Sequence, residues 1–156
     1  MSTIEESIDV SVPVSTAYNQ WTQFEEFPKF MEGVESVRQL DDTRLHWVAR
    51  IAGQRREWDA QIDEQAPDQR VAWHATTGAK NGGVVTFHRL DDGVTRIMLQ
   101  LEFEPEDWKE KAGDALGMTT RQAKRDLERF KEYIEGRGRE TGAWRGKVER
   151  GEKKSA

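Results

Sequence analysis

Between Leu45 and Phe103 the large apolar residues recur at every second position, in short runs broken by turn sequences. A period of two is the spacing at which a pleated strand puts all its apolar side chains on one face. Leu45, Trp47, Ala49 and Ile51 form one run, and Trp58, Ala60 and Ile62 form the next, with Arg56 in the same phase. Val71, Trp73 and Ala75, then Val85 and Phe87, then Ile97, Leu99, Leu101 and Phe103 complete the series. Asp41-Asp42-Thr43, Ala52-Gly53-Gln54, Ala66-Pro67-Asp68 and Asp91-Asp92-Gly93 separate the runs, and Asp-Gly is a strong hairpin signal. With Val34 to Leu40 as a further strand, the pattern describes an antiparallel meander with one dry and one wet face.

The flanks read differently. Ile8, Val10 and Val12 alternate as a strand until Pro13 stops it. Ser15 is placed to cap a helix carrying Ala17, Tyr18, Trp21 and Phe24, and a second short helix from Glu25 to Met31 presents Phe27, Phe30 and Met31 before Gly33. After Pro105, the stretch Trp108 to Gly117 is weakly helical. Met118, Ala123, Leu127, Phe130 and Ile134 then mark one stripe of a long helix that Gly136 is expected to close. A sheet with one apolar face and a helix with one apolar stripe must cover each other. The expected class is α+β, a curved antiparallel sheet wrapped round a long C-terminal helix, with two short helices after the first strand. Such a sheet does not lie flat on a single helix, so an internal space is expected where a small ligand can sit.

Charge divides the chain. Residues 137–156 carry seven Lys and Arg against three Glu, a net +4, so residues 1–136 carry −9 of the overall −5. The expected organisation is one domain over 1–136 and a basic, mostly disordered tail over 137–156. Trp144 in that tail is the residue able to pack it back on the body. The acidic body argues against a nucleic-acid partner. No run approaches the length of a membrane span, so integral membrane association is not expected, while transient contact with a membrane stays open. The start, MSTIEES, has neither a basic nor an apolar signal-peptide region, so the expected location is cytoplasmic. Cysteine is absent, which excludes disulfides, zinc–thiolate sites and thiol catalysis.

Chemistry-bearing residues are few. His46, His74 and His88 all fall in the outward phase of their strands, at spacings that match no metal-binding pattern. Neither a nucleophile-elbow nor a zinc-protease motif is present. No cofactor is expected. The stretch Gly78-Ala79-Lys80-Asn81-Gly82-Gly83 lacks the order of a phosphate loop and precedes a strand rather than a helix, so it reads as a hairpin link.

Three local runs carry a resemblance: Val10-Ser11-Val12-Pro13-Val14-Ser15-Thr16-Ala17-Tyr18, Phe24-Glu25-Glu26-Phe27-Pro28-Lys29-Phe30-Met31 and Gly83-Val84-Val85-Thr86-Phe87. With the element order, they resemble the helix-grip superfamily of START lipid-transfer domains, the birch-pollen allergen and aromatic polyketide cyclases. More narrowly, the chain looks like the bacterial polyketide cyclase/dehydrase or coenzyme Q-binding START-type proteins over residues 4–136. The resemblance implies a hydrophobic cavity between sheet and helix and carries over no catalytic motif.

The expected ligand site is Trp47, Trp58, Trp73, Phe87, Leu99 and Met118, with Arg56 as a polar anchor. Same-phase indoles on successive strands suggest an aromatic wall for a flat or isoprenoid molecule. Arg56, with Gln54 beside it, would hold a carboxylate, phosphate or polarised carbonyl. Three readings follow: a carrier for a polyketide, quinone or lipid; a cyclase or dehydratase using Arg56 and Tyr18; or an interaction module without a ligand. Whether the chain is an enzyme stays open.

Overall fold

The computed structural model describes residues 2–51, 53–104 and 115–154. β1 (Ser2–Val10) leads into α1 (Val14–Trp21) and a single 3-10 segment (Phe24–Lys29). The meander follows as β2 (Val34–Asp41), β3 (Arg44–Ile51), β4 (Gln54–Ala66), β5 (Arg70–Ala75), β6 (Asn81–Asp91) and β7 (Val94–Phe103). The long helix is α2 (Ala115–Arg137), followed by β8 (Lys147–Glu149) and β9 (Glu152–Lys154). The sheet order is β1-β7-β6-β5-β4-β3-β2, antiparallel throughout, so β1 returns to pair with the last strand of the meander. Asp91 faces Val94, leaving Asp92-Gly93 as the two-residue hairpin loop that its sequence signals.

Curvature has local causes. Register shifts interrupt the β2–β3, β4–β5 and β6–β7 ladders, and an extra residue in one strand bends and twists it. The thirteen-residue β4 carries one between Ile62 and Glu64. α2 lies beside β1, where Lys131 Nζ donates to the Asp9 carbonyl at 2.9 Å and Glu135 Oε2 accepts the Ser11 amide at 2.7 Å.

Ala123, Leu127, Phe130 and Ile134 are the buried stripe of α2, none more than 4% exposed. Phe130 meets Trp21 and Phe30 edge-on at 5.1 and 5.0 Å, and Trp21 meets Phe27 at 5.5 Å. Each such side chain adds about 1.5–3 kcal/mol by burial. This aromatic plug sets how closely the helix approaches the sheet.

Three expectations change. α1 begins at Val14 with Pro13 as its N-cap, and the Pro13 carbonyl accepts the Ala17 amide, so Ser15 lies inside the helix and makes no cap. α2 runs past Gly136 and closes at Gly138, whose φ of 74° is open to glycine and whose amide bonds the Ile134 carbonyl. The weakly helical stretch expected over Trp108 to Gly117 lies outside the described residues up to position 114.

The tail is the largest change. Residues 139–154 fold back along α1 and the far end of β4 rather than standing free. The Thr141 amide donates to Gln20 Oε1 at 2.9 Å, and the Trp144 amide donates to Thr22 Oγ1 at 3.0 Å. Arg145 reaches Asn19 Oδ1 at 2.6 Å and Asp68 Oδ2 at 2.8 Å. Val148, fully buried, pairs with Gln65 of β4. Composition made this segment look solvated because it is rich in Lys and Arg. Its backbone and one valine find buried polar partners that only the folded body assembles.

Candidate functional site

Sheet, plug and helix do not close completely on each other. They leave a cavity of about 240 Å³. Its sheet wall is Trp47 and Leu45 of β3, Trp58 and Ile62 of β4, Trp73 of β5 and Leu99 of β7. Trp21, Phe24 and Phe27 form its aromatic end. Thr119, Gln122, Ala123, Asp126 and Leu127 form the helix wall. At its rim stand Arg50 and Glu102, both exposed.

The indoles are a stacked pair and an offset third. Trp47 and Trp58 are directly opposite in the β3–β4 register, with centroids 5.9 Å apart and planes 4° from parallel. Trp73 lies opposite Ile62 on one side and Gly83 on the other, four residues along β4 from Trp58. A Cβ at Gly83 would come within 2.8 Å of Trp73 Cζ2, so the bare glycine is what lets the indole lie across β6. The continuous three-indole wall expected from strand phase is therefore broken, because the β4–β5 register is staggered.

The other expected site residues divide. Leu99 lines the cavity. Phe87 stands behind the wall, edge-on to Tyr18 at 5.4 Å and 6.3 Å from Trp21, and does not line it. The side chain of Met118 lies outside the described residues. Arg56 does not line the cavity; it sits opposite Ala49 near the β3–β4 turn, where its Nη2 donates to Gln54 Oε1 at 2.8 Å. Tyr18, suggested as a proton donor, is buried away from the cavity beneath the Arg145 guanidinium, 5.5 Å above its ring. Burial pushes its phenol up to about 12, against the opposing pull of Gln65 and Arg145.

Among the described residues, the ionisable group on the helix wall is Asp126. Gln122 Nε2 donates to Asp126 Oδ1 at 2.7 Å, one turn earlier on the same helix. Burial pushes the carboxyl up to about 6, while Gln122, the Glu32 backbone and Arg129 pull it down and the Glu32 charge adds to the rise. Arg129 lies 3.9 Å from it but donates at 2.7 Å to Glu32 Oε2. On the sheet wall, the Trp47 indole N–H is buried with no hydrogen-bond partner among the described residues. The three histidines are on the outer surface of the sheet, His46 between Asp59 and Glu57, His74 on Asp63 and His88 beside Thr86. Among the described residues, no group of three or more His, Asp or Glu is arranged to hold a metal ion, and no helix is long and apolar enough to cross a membrane.

Residues 10–132 match the family of polyketide cyclase / dehydrase and lipid transport proteins. The chain belongs to that family. It is 60% identical over 149 residues to an uncharacterized 17.2 kDa protein of Streptomyces lincolnensis, covering 95% of this chain and 99% of the relative. Its fold is that of the Zhui aromatase/cyclase from Streptomyces sp. R1128, with a TM-score of 0.76 and 17% identity over 92% of this chain and 99% of that one. A START superfamily protein from Mycobacterium smegmatis is also similar, with a TM-score of 0.68 and 17% identity over 86% of this chain and 95% of that one. These likenesses show the helix-grip fold.

Within this member of the family, sequence reasoning missed Gln122 and Asp126. A signal for them exists. They are spaced i, i+4 and flank Ala123 and Leu127 on the stripe that faces the sheet, so they sit at its edge rather than on the solvent side. Reading α2 as apolar stripe against charged remainder hid them.

Proposed function

We propose that this family member binds a small, largely hydrophobic molecule in the cavity between sheet and α2. The observation that carries the reading is the cavity itself, walled by the Trp47–Trp58 stack, Trp73 and Leu99. Offset and stacked aromatic faces suit planar or polyene surfaces. The aromatic plug of Trp21, Phe24 and Phe27 bounds one end and so favours compact or folded ligands over a long extended chain. A polyketide or a quinone headgroup answers this description better than a diacyl lipid.

A second reading, ring closure or dehydration of a bound poly-β-ketone, is favoured by one observation: the cavity has a carboxyl and a carboxamide, Asp126 and Gln122, on its helix wall facing the aromatic sheet wall. There the walls would act mainly by holding the chain in a reactive shape.

Native mass spectrometry of protein purified from the organism that makes it tests the proposal. A stoichiometric apolar passenger supports binding, and its chemistry names the ligand class. A clean unliganded mass, with tryptophan fluorescence indifferent to quinones, fatty acids and aromatic polyketides, overturns it in favour of a ligand-free interaction module.

A further inference from the structure

The cavity's ionisable lining is unbalanced. Among the described residues of the lining, Asp126 on the helix wall and Glu102 at the rim are acidic, and the basic member is Arg50. Arg50 is 60% exposed in its side chain and donates through Nε to Glu35 Oε1 at 3.2 Å, so its charge is turned to the outer surface of the sheet. Arg56, the expected anion anchor, is outside the lining. Arg129 is within 3.9 Å of Asp126 yet held by Glu32. Asp126 itself is 16% exposed in its side chain and accepts from Gln122. A carboxylate has about four acceptor sites, so it keeps capacity for another donor.

The opposite wall is aromatic and apolar, with Trp47, Trp58, Trp73 and Leu99. A ligand between sheet and helix therefore meets an apolar wall on one side and a carboxyl acceptor on the other.

We infer that the cavity selects against acids: it takes a neutral or cationic aromatic molecule whose rings lie on the tryptophan wall and whose hydroxyl or amine donates to Asp126. This rests on the cavity being a ligand site and adds the class of ligand. An anionic head at the helix wall would face the Asp126 charge across a low-dielectric space, where repulsion is far less screened than in water. Fatty acids and phosphate-bearing lipids are disfavoured on this ground. The charged or titratable groups facing Asp126 are Glu32 and Arg129, with Glu102 and Arg50 further round the lining. Burial already raises the Asp126 carboxyl, so acidification removes its charge before that of an aromatic acid.

The test is calorimetric titration of the full chain with four probes on one skeleton: naphthalene, naphthalen-2-ylmethanol, naphthalen-2-ylmethylamine and naphthalene-2-carboxylic acid. Near pH 7.5 the alcohol and the amine are expected to bind about tenfold or more tighter than the acid. Near pH 5 the acid's handicap is expected to narrow in the unmodified protein, which needs no variant to fold. Asp126→Asn is expected to narrow it at both pH values and to weaken the amine. Equal binding of alcohol, amine and acid, or preference for the acid, overturns the inference while leaving the cavity as a ligand site. Binding of none of the four probes overturns both.

Discussion

Trp47 and Trp58 lie parallel to each other across β3 and β4, 5.9 Å between centroids and 4° between planes, on the wall of the cavity. Indoles this close and this nearly parallel couple their excited states. The protein is expected to show an exciton couplet in circular dichroism that Trp58→Phe abolishes, with a stability loss of about 1–2 kcal/mol from the lost contact and volume. An unchanged couplet would place its source in another aromatic pair.

The folded-back tail is expected to be part of the domain's stability. Val148 is fully buried against β4, and the Gln65 side chain beside it is 1% exposed. Val148→Asp buries a charge without a partner and is expected to cost about 3 kcal/mol or more, lowering Tm by about 10 °C. Residues 1–138 alone are expected to unfold at still lower temperature, because Asn19, Gln20 and Thr22 lose their partners in the tail. Equal thermal unfolding of the full and shortened chains would show the tail to be a passive cover.

His46 is expected to make stability depend on pH near neutrality. Its Nδ1 lies 2.7 Å from Asp59 Oδ1 and its Nε2 lies 3.1 Å from Glu57 Oε1, so both ring nitrogens donate only in the imidazolium. Hydrogen bonds to Asp59 and Glu57 raise its pKa above 6.5. A raised histidine contributes fully below its unfolded value, and the contribution is lost as pH rises through the folded value. Urea unfolding should therefore show a stability decrement from pH 6.5 upward that His46→Gln removes. The same slope in the variant would assign it elsewhere.

Asp126 has the opposite cost. Its carboxyl is raised from 3.8 to about 6, so the folded state favours the protonated form and pays for ionisation above that value. Asp126→Asn is expected to stabilise the unliganded protein by about 1–3 kcal/mol at neutral pH. The gain should shrink as pH falls through the folded value and vanish below the unfolded one. Chemical denaturation at several pH values checks this, and a variant less stable at neutral pH would mean that the hydrogen bonds of Asp126 outweigh its burial. Buried charge kept at a cost in stability is a common mark of a working site.

Strand phase along Leu45 to Phe103 and the stripe on α2 were enough to give the α+β class, the antiparallel meander and the helix that it grips. Periodicity is a local property, and burial of one face against one stripe admits few arrangements. Phase also placed Trp47, Trp58, Trp73 and Leu99 on the inner face, where they line the cavity. It misjudged Arg56 and Phe87 because phase says which face a residue takes and not how far along the strand the cavity reaches.

Tertiary structure decided the rest. The stagger between β4 and β5 moved Trp73 away from the Trp47–Trp58 pair. The curl of the sheet put Gln122 and Asp126 against apolar walls, where a carboxyl that is ordinary on a solvated helix becomes hard to ionise. The polar partners on α1 and β4 turned a charged tail into a packed one. The sequence by itself determined which elements form and which face of each is dry, because those depend on neighbours three or four positions away. Register, the reach of the cavity and the environment of each polar group depend on residues a hundred positions apart, and only the folded chain brings those together.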